Sequence, residues 1–106
     1  MIDLSIIIVN YNSFQLTLDC INSLVTKMES ISFEIIVVDN DSSDGSSPEI
    51  FENTPNIKWL PMGYNAGFAR ANNACMRAAG AETVLLLNPD IIITDNSIAQ
   101  CYERLN

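Results

Sequence analysis

Two aspartates stand where apolar runs end, and their position suggests binding chemistry. Asp39 follows the run Ile35–Val38, and Asp90 ends the sequence Asn88-Pro89-Asp90, which interrupts two apolar stretches. Polar atoms beside buried strands carry a desolvation cost that a bound ligand or ion would explain. The chain has no histidine, so only oxygen ligands are expected here. A metal site at Asp90 would therefore favour a hard divalent cation, Mg²⁺ or Mn²⁺.

Three further features suit a nucleotide ligand. Tyr11 follows the first apolar run, and its ring either stacks on a flat ligand ring or covers the sheet edge as a half-buried residue. A carboxylate at Asp39 would accept a hydrogen bond from an imide N–H, which uracil and thymine offer and cytosine and adenine lack. Arg70, one of five basic residues, either reaches a diphosphate or pairs with Asp39 or Asp90.

The elements that position these residues predict an α/β fold with a mostly parallel sheet. Short runs rich in Val, Ile and Leu at 4–9, 33–38 and 83–87 are typical of strands buried on both faces. Apolar residues at steps of three and four predict a helix from about residue 13 to 28. Parallel strands share one carboxyl edge, so Tyr11, Asp39 and Asp90 should line one cleft.

The remaining predicted elements follow in chain order. They are a short helix at 48–53, a strand at 56–60, an alanine-rich helix at 68–79, a short fifth strand at 91–94 and a last helix from about residue 97. Asn12 or Ser13 is expected to cap the first helix, and Asp95 or Ser97 the last. Gly80 is expected to end the alanine-rich helix.

Composition narrows the class of protein. The chain has 106 residues, 48% of them hydrophobic, and a net charge of −8, which predicts one compact domain over residues 1–106 and argues against nucleic acid as a partner. It has no apolar run of the roughly 18–20 residues that a membrane span needs. The first strand begins at Leu4, which predicts no signal peptide and a cytoplasmic location. Three cysteines (Cys20, Cys75 and Cys101) are expected to be buried hydrophobic residues in a reducing compartment.

Four segments in this order closely resemble the N-terminal half of the family-2 glycosyltransferases: Ser5–Asn12, Val37–Gly45, Asn65–Asn73 and Leu85–Asp90. The resemblance implies the Rossmann-like GT-A fold of nucleotide-diphospho-sugar transferases. It implies that Tyr11 and Asp39 bind the base of a UDP- or dTDP-sugar and that Arg70 lies near the diphosphate. Asn88-Pro-Asp90 occupies the family's Asp-X-Asp position, whose last aspartate binds the metal; the asparagine at 88 removes one negative charge from that motif.

The same resemblance implies the reaction of the parent enzyme. The Asn-Pro-Asp form resembles the branch that includes rhamnosyltransferases, which implies a dTDP-linked sugar such as dTDP-rhamnose. The implied reaction is inverting transfer to a hydroxyl of a saccharide or lipid-linked saccharide during polysaccharide synthesis, at the inner face of a membrane. Members of this kind are about twice as long and carry a general base in their second half. Residues 1–106 are therefore expected to be a C-terminally truncated donor-binding portion, without the base and with an open sheet edge through which copies could associate.

Two alternatives remain beside that hypothesis. The cluster of Asp39, Asp41 and Asp44 would also suit a receiver-like domain that is phosphorylated on an aspartate, although these carboxylates alternatively cap turns and helices. A truncated nucleotide-binding fragment without catalysis is the second alternative. A dinucleotide-binding Rossmann domain is excluded, because the turn after the first strand contains no glycine.

Overall fold

The computed structural model describes residues 2–45, 56–65 and 67–105, which form one sheet with helices on both faces. The elements are β1 (Leu4–Asn10), α1 (Phe14–Lys27), β2 (Phe33–Asp39), β3 (Ile57–Pro61), α2 (Phe68–Ala78), β4 (Thr83–Leu87) and α3 (Ser97–Leu105). They confirm seven of the predicted elements to within a few residues. The short helix predicted at 48–53 lies outside the described residues.

The four strands run in the order β3-β2-β1-β4, and every neighbouring pair is parallel. Asn10 is paired with Asp39, and Ile8 is paired with Leu87. The two central strands are almost entirely buried, as expected of strands covered on both faces. This register places the residues that follow β1, β2 and β4 at one edge of the sheet, which we call the carboxyl rim.

Alternation along the strands assigns side chains to two separate cores. Ile6, Ile8 and Val37 face the side that packs against α1 and α3. Ile7 and Val38 face the opposite side, where they meet two buried residues of α2, Ala71 and Cys75. Small side chains at these α2 positions let the helix backbone approach the sheet closely. The alanine-rich character of this helix therefore has a packing explanation.

Several details differ from the sequence-based predictions. Residues 91–94 form no strand, because the segment turns toward α1, where Ile93 is buried and its N–H donates to Ser23 Oγ at 2.9 Å. Cys20 and Cys75 are buried as expected, but Cys101 is exposed, and it borders an open pocket between α3 and β4.

The N-terminal edge of the sheet is held by a buried carboxylate, Glu34. Its Oε2 accepts hydrogen bonds from Ser5 Oγ and from Gly80 N, each at 2.6 Å, and Lys58 Nζ lies 2.9 Å from Oε1. Burial raises the pKa of Glu34, but Ser5, Lys58 and Gly80 together lower it further, and the pKa lies below its ordinary value of 4.5.

Gly80 has a role other than the predicted one. The helix already ends at Ala78, with Ala79 in an extended conformation at its C-cap. A Cβ atom at Gly80 would come within 3.1 Å of Glu34 Oε2. The glycine is therefore explained by close approach to the carboxylate and not by a left-handed helix cap.

Candidate functional site

A pocket of about 330 Å³ opens at the carboxyl rim, on the α2 side of the sheet. Its lining combines Tyr11 from the loop after β1, Pro89 from the turn after β4, and Asn40, Asn65 and Gly67. Tyr11 is 49% exposed, so about half of its surface remains accessible at the pocket. Segments that are remote in sequence thus meet in one pocket because parallel strands deliver them to the same rim.

Asp39 lies at this rim, but its side chain faces the α1 side of the sheet. The next residue, Asn40, faces the opposite side and lines the pocket. Asn10 Nδ2 and Ser42 Oγ donate to Asp39 Oδ1 at 2.9 and 2.6 Å, and Ser42 N donates to Oδ2 at 3.2 Å. The side chain is only partly buried. Asp39 therefore organises the rim itself, and its side chain is not fully buried there.

The loops after β1 and β2 hold each other in place. Asn12 N donates to Ser42 Oγ at 2.9 Å, and Ser43 N donates to Asn12 Oδ1 at 2.7 Å. Asn12 and Asp41 have positive φ values of 48° and 65°, which asparagine and aspartate tolerate better than most residues. These contacts fix the backbone on which Tyr11 stands.

Asp44 caps helix α1 from a distance. Its Oδ2 accepts a hydrogen bond from Phe14 N at 3.1 Å, whereas the residue at the N-cap position, Ser13, makes no capping bond. Ser13 instead donates to Asn10 Oδ1. The prediction that Asn12 or Ser13 caps this helix is therefore wrong, and the capping interpretation of Asp44 is confirmed. At the last helix, Asp95 Oδ1 accepts from Ser97 N at 3.0 Å, as predicted.

Asn40 and Asn65 are pocket residues to which the sequence argument assigned no role. Asn40 Nδ2 donates to Asn65 Oδ1 at 2.9 Å, and Gly67 N donates to the same oxygen at 3.2 Å. Asn40 is nearly buried. Strand alternation from Val38 could have placed Asn40 on the α2 face, whereas its contact with Asn65 required the tertiary structure.

Arg70 does not line the Tyr11 pocket. It is exposed on α2 and borders a separate pocket of about 260 Å³ with Tyr64, Asn73 and Arg77. Among the described residues it forms no ion pair with Asp39 or Asp90. The predicted ion pair of Arg70 with Asp39 or Asp90 is therefore wrong, and a contact between Arg70 and a diphosphate stays a prediction.

Asn88 and Asp90 lie in the turn that follows β4, and both side chains are exposed. The turn is closed by Ile91 N, which donates to Asn88 O at 3.2 Å. Burial, and secondarily the charge of Asp90, raises the pKa of Cys20 to about 11. Asp39 and Asp90 thus both stand at the carboxyl rim, and neither lines the Tyr11 pocket.

The donor set at this turn suits only one kind of metal site. Across 2–45, 56–65 and 67–105, no cluster of three His, Cys, Asp or Glu side chains could hold an ion. One carboxylate and one amide fit Mg²⁺ or Mn²⁺ only where waters and substrate phosphates supply the other ligands. Asp90 and Asn88 therefore fit an ion that is bound together with a diphosphate.

Comparison with known proteins identifies the family. The sequence model of Glycosyl transferase family 2 matches residues 5–106. The chain belongs to this family. This membership favours the glycosyltransferase hypothesis over the receiver-like alternative, and Asp44 of the acidic cluster already serves as a helix cap.

Two curated relatives of this family-2 chain are carbohydrate enzymes. Low-salt glycan biosynthesis hexosyltransferase Agl10 of Haloferax volcanii is 36% identical over 104 residues, which cover 94% of this chain and 32% of that protein. A poly-beta-1,6-N-acetyl-D-glucosamine synthase of Staphylococcus epidermidis is 29% identical over 96 residues, covering 89% and 23%. The family-2 chain therefore spans a third or less of the length of these relatives.

Solved structures confirm the α/β GT-A-like fold. S. aureus TarS 1-349 superposes with a TM-score of 0.83 and 25% identity, covering 97% of this chain and 32% of that one. TarS has also been solved with UDP and with UDP-GlcNAc, at 26% and 25% identity to this chain. Within the part of the chain that the structure describes, no helix has the length and apolar character to cross a membrane.

Proposed function

We propose that residues 1–106 are the donor-binding portion of a glycosyltransferase that moves a sugar from a UDP- or dTDP-sugar to a saccharide hydroxyl. The observation that carries this proposal is the convergence of three parallel strand ends. Tyr11 follows β1, Asp39 ends β2 and Asp90 lies in the turn after β4, and Tyr11 and Pro89 share one pocket. Nucleotide ligands bind in such crevices at the carboxyl ends of parallel strands.

In this proposal Tyr11 and Asp39 recognise the base. Stacking on an accessible tyrosine ring contributes roughly 1–3 kcal/mol per base. The acceptor capacity that remains on Asp39 suits the imide N–H of uracil or thymine. The bound UDP and UDP-GlcNAc of TarS support a uracil nucleotide as the first ligand to test.

Asp90 and Asn88 are proposed to hold a divalent ion against the diphosphate. The chain carries a net charge of −8, so a diphosphate would meet electrostatic repulsion at this rim unless a cation lies between them. A bound Mg²⁺ or Mn²⁺ would neutralise charge on the departing nucleotide. Arg70 is proposed to approach the phosphates from the start of α2, since a long side chain on its exposed face can change rotamer.

The sugar, the stereochemistry and the acceptor are finer proposals. The Asn-Pro-Asp turn supports dTDP-rhamnose as donor through the resemblance described above, and Agl10 and the poly-N-acetylglucosamine synthase support a saccharide acceptor. We further propose inversion at the transferred carbon, with the general base supplied outside residues 1–106. A cytoplasmic location suits the buried thiols of Cys20 and Cys75.

Calorimetric titration of the 106-residue chain tests the proposal. UDP and dTDP are expected to bind more tightly than GDP, and Mn²⁺ or Mg²⁺ is expected to strengthen binding. Asp90→Asn should remove the metal dependence, whereas Asp19→Asn, an exposed acid on α1, should leave it unchanged. Tighter binding of GDP, or no binding of any of the three by folded protein, would refute the donor assignment.

A further inference from the structure

A fully buried amide, Asn10, lies at the centre of the polar contacts of the rim. Its side chain is 0% exposed at the end of β1, directly paired with Asp39 of β2. Ser13 Oγ and Thr17 Oγ1 donate to its Oδ1 at 3.1 and 2.8 Å. Its Nδ2 donates to Asp39 Oδ1 at 2.9 Å and more weakly to Ser42 Oγ at 3.4 Å.

These partners determine the orientation of the amide. An ionised carboxylate only accepts hydrogen bonds, so the nitrogen of Asn10 must face Asp39 and the oxygen must face α1. The two hydroxyls of Ser13 and Thr17 fit this orientation because each donates to the oxygen. Helix α1 thereby sets the direction of a donor that is aimed at Asp39.

The consequence for Asp39 is that its two oxygens are not equivalent. Oδ1 accepts two hydrogen bonds, from Asn10 Nδ2 and Ser42 Oγ. Within the described residues, Oδ2 accepts one, from Ser42 N. A carboxylate oxygen can accept about two hydrogen bonds, so the remaining acceptor position of Asp39 is on Oδ2.

We propose that Asn10 is a positioning residue for donor recognition: it holds Asp39 so that Oδ2 accepts the imide N–H of a uracil or thymine nucleotide. This inference rests on the proposed function and deepens it. Because the held carboxylate is an acceptor, the site discriminates against cytosine, whose N3 is also an acceptor. The discrimination depends on a fixed carboxylate orientation, because a carboxylate that rotated freely would not keep Oδ2 directed at the edge of the base.

The test compares UDP with CDP, which differ in the base edge that Asp39 would read. Calorimetry of the full 106-residue chain with Mn²⁺ gives an affinity for each nucleotide, and their ratio is the measured quantity. The wild-type chain is expected to prefer UDP by at least about tenfold. Asn10→Ala should lower that ratio to within about threefold of unity, mainly by weakening UDP.

Two further variants separate positioning from stability. Ser5→Ala removes another fully buried hydrogen-bonding side chain from β1, near the N-terminal end of that strand and away from the carboxyl rim. It should leave the ratio of UDP to CDP affinity unchanged. Ser42→Ala removes the second donor to Asp39 Oδ1 from a less buried position. It should lower the ratio even if Asn10→Ala fails to fold.

The outcomes distinguish the two proposals. No preference for UDP in the wild-type chain would refute the base assignment of Asp39, and the inference with it. A preference that Asp39→Asn abolishes, but that both Asn10→Ala and Ser42→Ala retain, would overturn only the positioning role of Asn10. An equal loss of the ratio in Ser5→Ala would also overturn it, because the effect would then follow stability.

Discussion

Replacing Glu34 by glutamine should destabilise the fold without touching the carboxyl rim. The carboxylate is 1% exposed and receives hydrogen bonds from Ser5 and Gly80 at 2.6 Å, with the Lys58 ammonium at 2.9 Å. Glutamine keeps the shape, but its amide can present an oxygen to only one side. Hydrogen bonds to a charged group contribute about 1.5–3 kcal/mol and neutral ones about 0.5–1.5 kcal/mol. Two weakened hydrogen bonds and a lost ion pair therefore predict that the free energy of unfolding falls by about 2–3 kcal/mol.

The pH dependence of this loss follows from the lowered pKa of Glu34. A carboxyl with a depressed folded-state pKa stabilises the fold above its unfolded-state pKa, ordinarily 4.5, and loses that contribution as the pH falls through the folded-state value. The difference in the free energy of unfolding between wild type and Glu34→Gln should therefore be greatest at pH 7 and should become smaller below about pH 4.5.

Urea unfolding followed by circular dichroism at pH 7 and at pH 3 measures both effects. Glu29→Gln is the matched control, because it makes the same substitution at an exposed carboxylate and should change the free energy of unfolding by less than about 0.5 kcal/mol. A Glu34→Gln variant within about 0.5 kcal/mol of wild type at pH 7 would refute the reasoning. A gap that stays constant down to pH 3 would contradict the linkage argument.

The remaining predictions concern the rim and the sheet edge. Tyr11→Ala should weaken UDP binding by about 5- to 150-fold in calorimetry through lost stacking, and Tyr11→Phe should restore it; equal affinities for all three would contradict the stacking role. Asp44→Ala should lower the free energy of unfolding by about 1 kcal/mol by removing the cap of α1, as measured with urea, whereas Asp19→Ala, at an exposed position within α1, should lower it by less than about 0.5 kcal/mol. The chain should self-associate along β4, because the opposite edge strand is protected by Lys58 and Pro61 whereas Thr83–Leu87 carries neither charge nor proline. Sedimentation velocity should show fewer dimers for Leu86→Lys than for Val25→Lys, a similarly exposed apolar residue on α1; equal dimer fractions would argue against this edge.

The sequence determined which residues form the sheet and which residues stand at its carboxyl rim. Strands buried on both faces read as continuous apolar runs, and a polar residue that ends such a run marks the rim. Local patterns therefore sufficed for β1, β2 and β4, and for placing Tyr11, Asp39 and Asp90 at one edge. The four motif segments were enough to identify the family.

Only the tertiary structure decided what the individual side chains contact. The pairing of Asn10 with Asp39 depends on strand register, and the separation of Arg70 from the Tyr11 pocket depends on the rotation of α2. Glu34 has the sequence pattern of an ordinary polar strand residue, yet its carboxylate contacts Ser5 of β1, Lys58 of β3 and Gly80 in the loop after α2. Hydrophobic periodicity is a local property that specifies burial, whereas register and helix rotation are set by packing across the whole sheet.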